Sequence, residues 1–208
     1  MNRYMSKTTT KEELLPELAL YRKNVNGVDM IQHPYYEFDY NEQLTKMCND
    51  GFETKKKMVE NALVKRDWAT YIVYYRNEFR LEGFQAIEDL LNDKEYWENL
   101  TVAWLNTRLI SENIEAWRAK FESDRPNREY MMCDLDRVFF DKLPERFTIY
   151  RGFTPGVEGF SYSLNREVSL RFARKSGSEK NITQLEVLKS HCIAYINERD
   201  EEEIIYLK

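Results

Sequence analysis

The 208-residue sequence predicts an α+β protein, with an N-terminal helical region followed by a compact, mainly antiparallel β core. Three observations carry that expectation. Apolar residues recur at helical spacing through residues 41–142. After Pro144 short β-branched and aromatic runs replace them. Between the two patterns lies SDRPNRE, residues 123–129, a polar stretch around a proline that reads as a boundary.

Residues 1–40 give no long element, because Pro16, Gly27 and Pro34 interrupt them; the aromatic cluster HPYYEFDY is expected to pack as an irregular arm. From residue 41 the stripes are helical. Met58, Val59, Ala62 and Leu63 share one face, and Trp68, Tyr71, Ile72, Tyr75 and Phe79 form a second stripe behind Asp67 as N-cap. Phe84, Ile87, Leu90 and Leu91 suggest a third helix. Trp97, Leu100 and Trp104 mark a fourth, and Ile114, Trp117 and Phe121, after Ser111, a fifth. Aromatic stripes of this kind are core. A short helix over residues 131–142 precedes the β core of residues 143–208. Within that core FTIYRG, ITQLEVL, CIAYI and EIIYL read as strands, and NREVSLRFARK as an amphipathic helix.

Composition narrows the function. With 31 basic against 36 acidic residues the net charge is −5, which argues against a broad nucleic-acid surface, though not against recognition of a single nucleic-acid site. Cys48, Cys133 and Cys192 are far apart, form no CxxC pair and accompany only two histidines, so no metal site is expected and the thiols read as buried or half-buried. The opening MNRYMSKTTTKEELL has no apolar run, and no later stretch reaches membrane-spanning length. The expectation is a soluble cytoplasmic protein without a membrane partner.

Three short segments carry chemistry. Tyr150-Arg151-Gly152 ends a strand; its arginine offers a planar fork suited to phosphate, and its glycine admits a ligand near the backbone. Ser161-Tyr162-Ser163 places both serines on one strand face, ahead of a helix bearing Phe172. Glu201 and Glu203 would share a strand face just before Ile204-Ile205. Taken singly, these are a surface arginine, a polar-edged strand and a solvated acidic run.

Their order, YRG, then GFSYSL, then N-x-R-x-E-x-E-I-I, resembles the arginine–serine–glutamate class of mono-ADP-ribosyltransferases over about residues 147–207, and is most similar to short phage-encoded relatives. The resemblance implies an ADP-ribosyltransferase-like β core that uses NAD as substrate and needs no metal. It also implies a protein target, on arginine, in the host cytoplasm, with nucleic acid a lesser alternative acceptor. Arg151 would bind the NAD phosphates and the nicotinamide-side ribose, and Gly152 the carboxamide. Ser161 would hold the ribose and the catalytic glutamate; Ser163 and Phe172 would line the cofactor site. Glu203 would be the catalytic carboxylate and Glu201 the acceptor-activating one. The triple glutamate leaves Glu202 open as the catalytic residue if a bulge shifts the register. Ser161 follows Arg151 by only ten positions, closer than in larger relatives, which leaves the adenosine end undefined. The alternatives are a non-enzymatic interaction or inhibitor protein on this scaffold and an NAD glycohydrolase.

Overall fold

In a computed structural model the chain is described over residues 12–108 and 110–207. It divides into two compact units, residues 1–79 and 80–208. Helices and antiparallel sheets make both, so the α+β class holds.

The first unit opens with α1 (Pro16–Ala19) and a meander of β1 (Arg22–Val25), β2 (Val28–His33) and β3 (Tyr36–Asp39). An irregular arm was expected here, and a sheet stands in its place. Of the three interrupting residues, Pro16 opens α1 and the other two sit in hairpin turns: Val25 pairs with Val28 across Asn26-Gly27, both at positive φ, and His33 pairs with Tyr36 across Pro34-Tyr35. Asn-Gly with both residues left-handed is the tight turn whose twist suits a hairpin. The meander joins α2 (Thr45–Val64) in a core of Leu18, Ile31, Tyr40, Cys48 and Phe52. Helix α3 (Trp68–Tyr74) follows, capped as expected by the Asp67 carboxylate, which accepts from Thr70 N at 3.3 Å. The expected stripe on α2 is only half internal: Val59 and Ala62 are buried, while Met58 and Leu63 are exposed.

In the second unit α4 (Arg80–Gln85), α5 (Asp93–Asn106), α6 (Ile114–Phe121) and α7 (Asp134–Lys142) precede the large sheet. Asn92 and Glu95 close a capping box at the start of α5. Trp97, Leu100, Trp104, Trp117 and Phe121 are fully buried, as their spacing predicts. Residues 123–129 lie inside this unit, because the Trp97 indole donates to the Pro126 carbonyl at 2.8 Å and Arg125 donates to the carbonyls of Leu91 and Glu88. Cys133 is exposed; its Sγ sits at the start of α7 and accepts from Asp136 N.

The sheet runs β6-β4-β5-β8-β7, every pair antiparallel: β4 (Arg146–Gly152), β5 (Ser161–Ser163), β6 (Ile182–Leu188), β7 (Cys192–Ile196) and β8 (Glu203–Tyr206). Helix α8 (Arg166–Lys175) packs on β4. Strands β4 and β5 meet at one register pair, Tyr150 with Ser163. Beyond that pair they part, and the gap becomes a cleft. Gly152 permits the close approach of α8: a Cβ there would lie 2.0 Å from the Ser169 carbonyl and 2.5 Å from Ala173 N. Among the described residues no helix is long and apolar enough to cross a membrane, and no cluster of three His, Cys, Asp or Glu could hold a metal.

Buried His33 gives the first unit a pH signature. Its Nδ1 accepts from Tyr35 N, and its ring packs edge-on against Tyr21, Tyr35 and Phe52. Burial pushes its pKa down to about 4, with Glu17 opposing and Lys56 adding to the shift. The unfolded chain therefore takes up the proton first. Stability present above pH 6.5 should decline as pH falls towards 4, by up to about 3 kcal/mol. Thermal melts across that window should show the decline in wild type and a flatter profile in His33→Gln; equal slopes would exclude His33 as the cause.

Candidate functional site

The cleft between β4 and β5 continues to the start of β8, and a cavity of about 210 Å³ there is lined by Arg151, Gly152, Ser161, Ser163, Phe172, Glu201 and Glu203. Every site residue expected from the sequence borders this one space. Tyr150, Tyr162, Val168 and Ser169 complete the wall.

Glu203 is the first residue of β8, pairs with Ser163 and Ile196, and is 2% exposed. A carboxylate so enclosed requires donors. The Trp104 indole donates to its Oε1 at 3.1 Å, and Arg199 Nη2 donates to its Oε2 at 3.0 Å. Burial pushes the Glu203 pKa up; hydrogen bonding from Ser161, the charge of Arg199 and the Trp104 N–H oppose it, while Glu201 adds to it. Trp104 was expected to be core, and its ring is, edge-on to Trp117 and Phe121. Its one polar atom belongs to the site. Nothing in the sequence marks that role, since its partner lies 99 positions away.

The acidic run is not a continuous strand. Asp200 and Glu202 are left-handed, at φ 53° and 47°, so the alternation expected from an extended Glu201–Glu203 does not apply. Glu201 and Glu203 nevertheless face the same cavity, because the turn is pinned. Asn197 accepts from Asp200 N with its carbonyl and from Glu202 N with its side chain, and Ser163 Oγ donates to the Glu201 carbonyl at 2.7 Å. Glu202 turns towards Asn165 Nδ2, outside the cavity lining. The Ser163 hydroxyl is thus spent on backbone, donating to Glu201 and accepting from Asn165 N at 2.9 Å. It fixes the loop that carries Glu201. Arg199, in the same run, joins the two carboxylates: Nε lies 3.2 Å from Glu201 Oε2 and Nη2 lies 3.0 Å from Glu203 Oε2. Arg199 belongs to the N-x-R-x-E-x-E motif, and nothing in the sequence marks this bridging task.

Arg151 is the opposite case. Its guanidinium lies on Gly159, where a Cβ would sit 2.4 Å from Nη1, and Nη1 donates to the Ser161 carbonyl at 3.3 Å. Among the described residues no carboxylate lies within ion-pair distance. Burial pushes its pKa down, with Tyr162 and Glu158 opposing. Two further cavities, of about 190 and 280 Å³, also border Arg151; Phe153 and Thr183 line the first, Trp104 and Ser111 the second. A half-buried cation with one neutral partner, at the junction of three cavities, keeps donors that an anion could take. Phe172 stands 42% exposed at the rim. Gly152 owes its lack of side chain to α8, which accounts for that glycine without any ligand.

The arrangement therefore sets a half-buried cation and a buried carboxylate on one cleft. Replacing Arg151 by Met should leave the ligand-free protein as stable or more stable, by up to about 1 kcal/mol, because an unpaired buried charge is removed. The same variant should lose the stabilisation that inorganic pyrophosphate gives wild type, read by thermal melts with and without pyrophosphate. A large destabilisation of ligand-free Arg151→Met would make the arginine structural. No protein-family model, no curated protein and no solved structure matches this chain, so the reading of the cleft rests on its geometry.

Proposed function

We propose that the protein is an NAD-dependent mono-ADP-ribosyltransferase acting on a protein target. The observation that carries the proposal is the shared cleft, where among the described residues no carboxylate reaches ion-pair distance of Arg151 and Glu203 is buried with its donors already in place. The resemblance of the three ordered motifs supports the same assignment, including the phage-encoded character and a target in the host cytoplasm.

The chemistry follows from charge. When the bond between ribose and nicotinamide breaks, its electron pair leaves with the nicotinamide nitrogen, and positive charge builds on the ribosyl carbon as in glycoside cleavage. Nicotinamide leaves as a neutral ring and needs no acid. A fixed carboxylate beside the cation stabilises it more than water does, since its surroundings are already oriented. Glu203 fills that role, with Trp104 N–H and Ser161 holding it. Arg151 would anchor the pyrophosphate, and the two flanking cavities provide room for the rest of the dinucleotide. Glu201, less enclosed than Glu203, is placed to take the proton from an incoming nucleophile.

The test is nicotinamide release and label transfer from labelled NAD in a bacterial lysate, measured side by side. Glu203→Gln should reduce both by two to three powers of ten, order ~3–4 kcal/mol. Glu201→Gln should impair transfer while NAD cleavage persists, and Glu202→Gln should be near wild type. Activity needs ionised Glu203, so nicotinamide release should rise with pH through an acid limb above the ordinary glutamate range. Trp104→Phe, which removes a donor, should move that limb higher. Full activity in Glu203→Gln, or none in wild type at millimolar NAD, would end the enzyme reading.

A further inference from the structure

The two carboxylates of the cleft are already occupied. Arg199 reaches both with separate nitrogens, Nε to Glu201 and Nη2 to Glu203, while Nη1 lies 3.5 Å from the Leu105 carbonyl. All three nitrogens are committed, and the two acids lie where one planar fork bridges them. That is the recognition pattern of a guanidino group. The side chain making it is 42% exposed, so it is not locked in the core.

We propose that Glu201 and Glu203 form a seat for a guanidino group, that Arg199 is its resting occupant, and that an arginine acceptor must displace Arg199 to react. The inference rests on the transferase reading for its consequence, but the seat itself is a matter of geometry. A guanidinium entering the cleft meets carboxylates whose charge is already balanced. It gains only the difference between its own ion pairs and those Arg199 gives up. Water faces no such competition, because it needs only a hydrogen bond. In the resting arrangement NAD cleavage to water is therefore favoured over transfer to arginine, and a protein target overcomes this by contacts elsewhere. During transfer the acceptor nitrogen forms a bond to the ribosyl carbon as the bond to nicotinamide breaks. The proton released from the acceptor guanidinium passes to Glu201, and then to solvent. With Arg199 still in place, protonating Glu201 forfeits the charge of its ion pair with Arg199.

Arg199 also lowers the cost of ionising buried Glu203, so its removal has two effects of opposite sign. A ratio separates them. With labelled NAD and agmatine as the guanidino probe, Arg199→Ala should raise the ratio of agmatine labelling to NAD hydrolysis by at least about tenfold over wild type, even where the total rate falls. Arg199→Lys, whose point charge cannot bridge both acids, should lie between the two. A second measurement needs no chemistry: the carboxyl ¹³C resonances of Glu201 and Glu203, followed while guanidinium chloride is added at concentrations below those that unfold the protein. Guanidinium should saturate Arg199→Ala and Arg199→Lys more readily than wild type, and should fail to bind Arg199→Ala/Glu201→Gln. If wild type cleaves NAD but the ratio and the guanidinium response are unchanged in both variants, the seat is refuted and the transferase reading stands. If no form cleaves NAD, the carboxylate titration alone decides the seat while the transferase reading falls. A lower rate in Arg199→Ala with no gain in guanidinium binding would reduce Arg199 to a support for Glu203 and overturn the proposal.

Discussion

Burying the Glu203 carboxylate is the constraint to which the second unit answers. An ionised group taken out of water must recover its lost hydration from fixed donors, or it takes up a proton. Here the donors come from three directions in the chain: the indole of α5, the arginine of the preceding turn, and the serine of the neighbouring strand. Each depends on something larger. Trp104 is held by Trp117 and Phe121, Arg199 by a turn tied through Asn197, and Ser161 by the pairing of β5 with β8. The helical region and the sheet thus serve one atom group. The α5 core is what aims the indole.

Arg151 and Glu203 are treated in opposite ways, and the contrast is informative. Glu203 is satisfied in the ligand-free protein, so its position is set before anything binds. Arg151 is left with one carbonyl and open space. A protein interested only in stability would not keep a half-buried cation in that condition. Preorganising the carboxylate while leaving the cation unsatisfied supports the proposed transferase reading, in which the ligand's anion would complete the electrostatics and the protein's anion would perform the chemistry.

Much of the cleft was legible in the sequence, because its walls are strand ends and short motifs keep their order along a sheet. Arg151, Ser161, Ser163, Phe172 and the two glutamates all border the expected space. What escaped has identifiable causes. Gly27 and Pro34 read as breaks in the sequence, and each sits in a hairpin turn; only the pairing of the flanking strands tells the two apart. Glu201 faces the cleft for a reason other than strand alternation, since a left-handed Glu202 cannot be read from a residue type that ordinarily avoids that conformation. Gly152 is explained by the α8 backbone rather than by a ligand. Trp104 is the clearest case. A stripe of apolar residues reports that its ring is buried, and says nothing about where its single N–H points.

The most direct test of this account is a crystal structure of Glu203→Gln soaked with NAD, the substitution slowing cleavage while preserving side-chain size. The account requires the pyrophosphate on the Arg151 guanidinium and the nicotinamide-side ribose within hydrogen-bond distance of residue 203, in the cleft that Ser161 and Phe172 border. NAD bound with its ribose away from residue 203, or a cleft that stays empty while NAD occupies another surface, would contradict it.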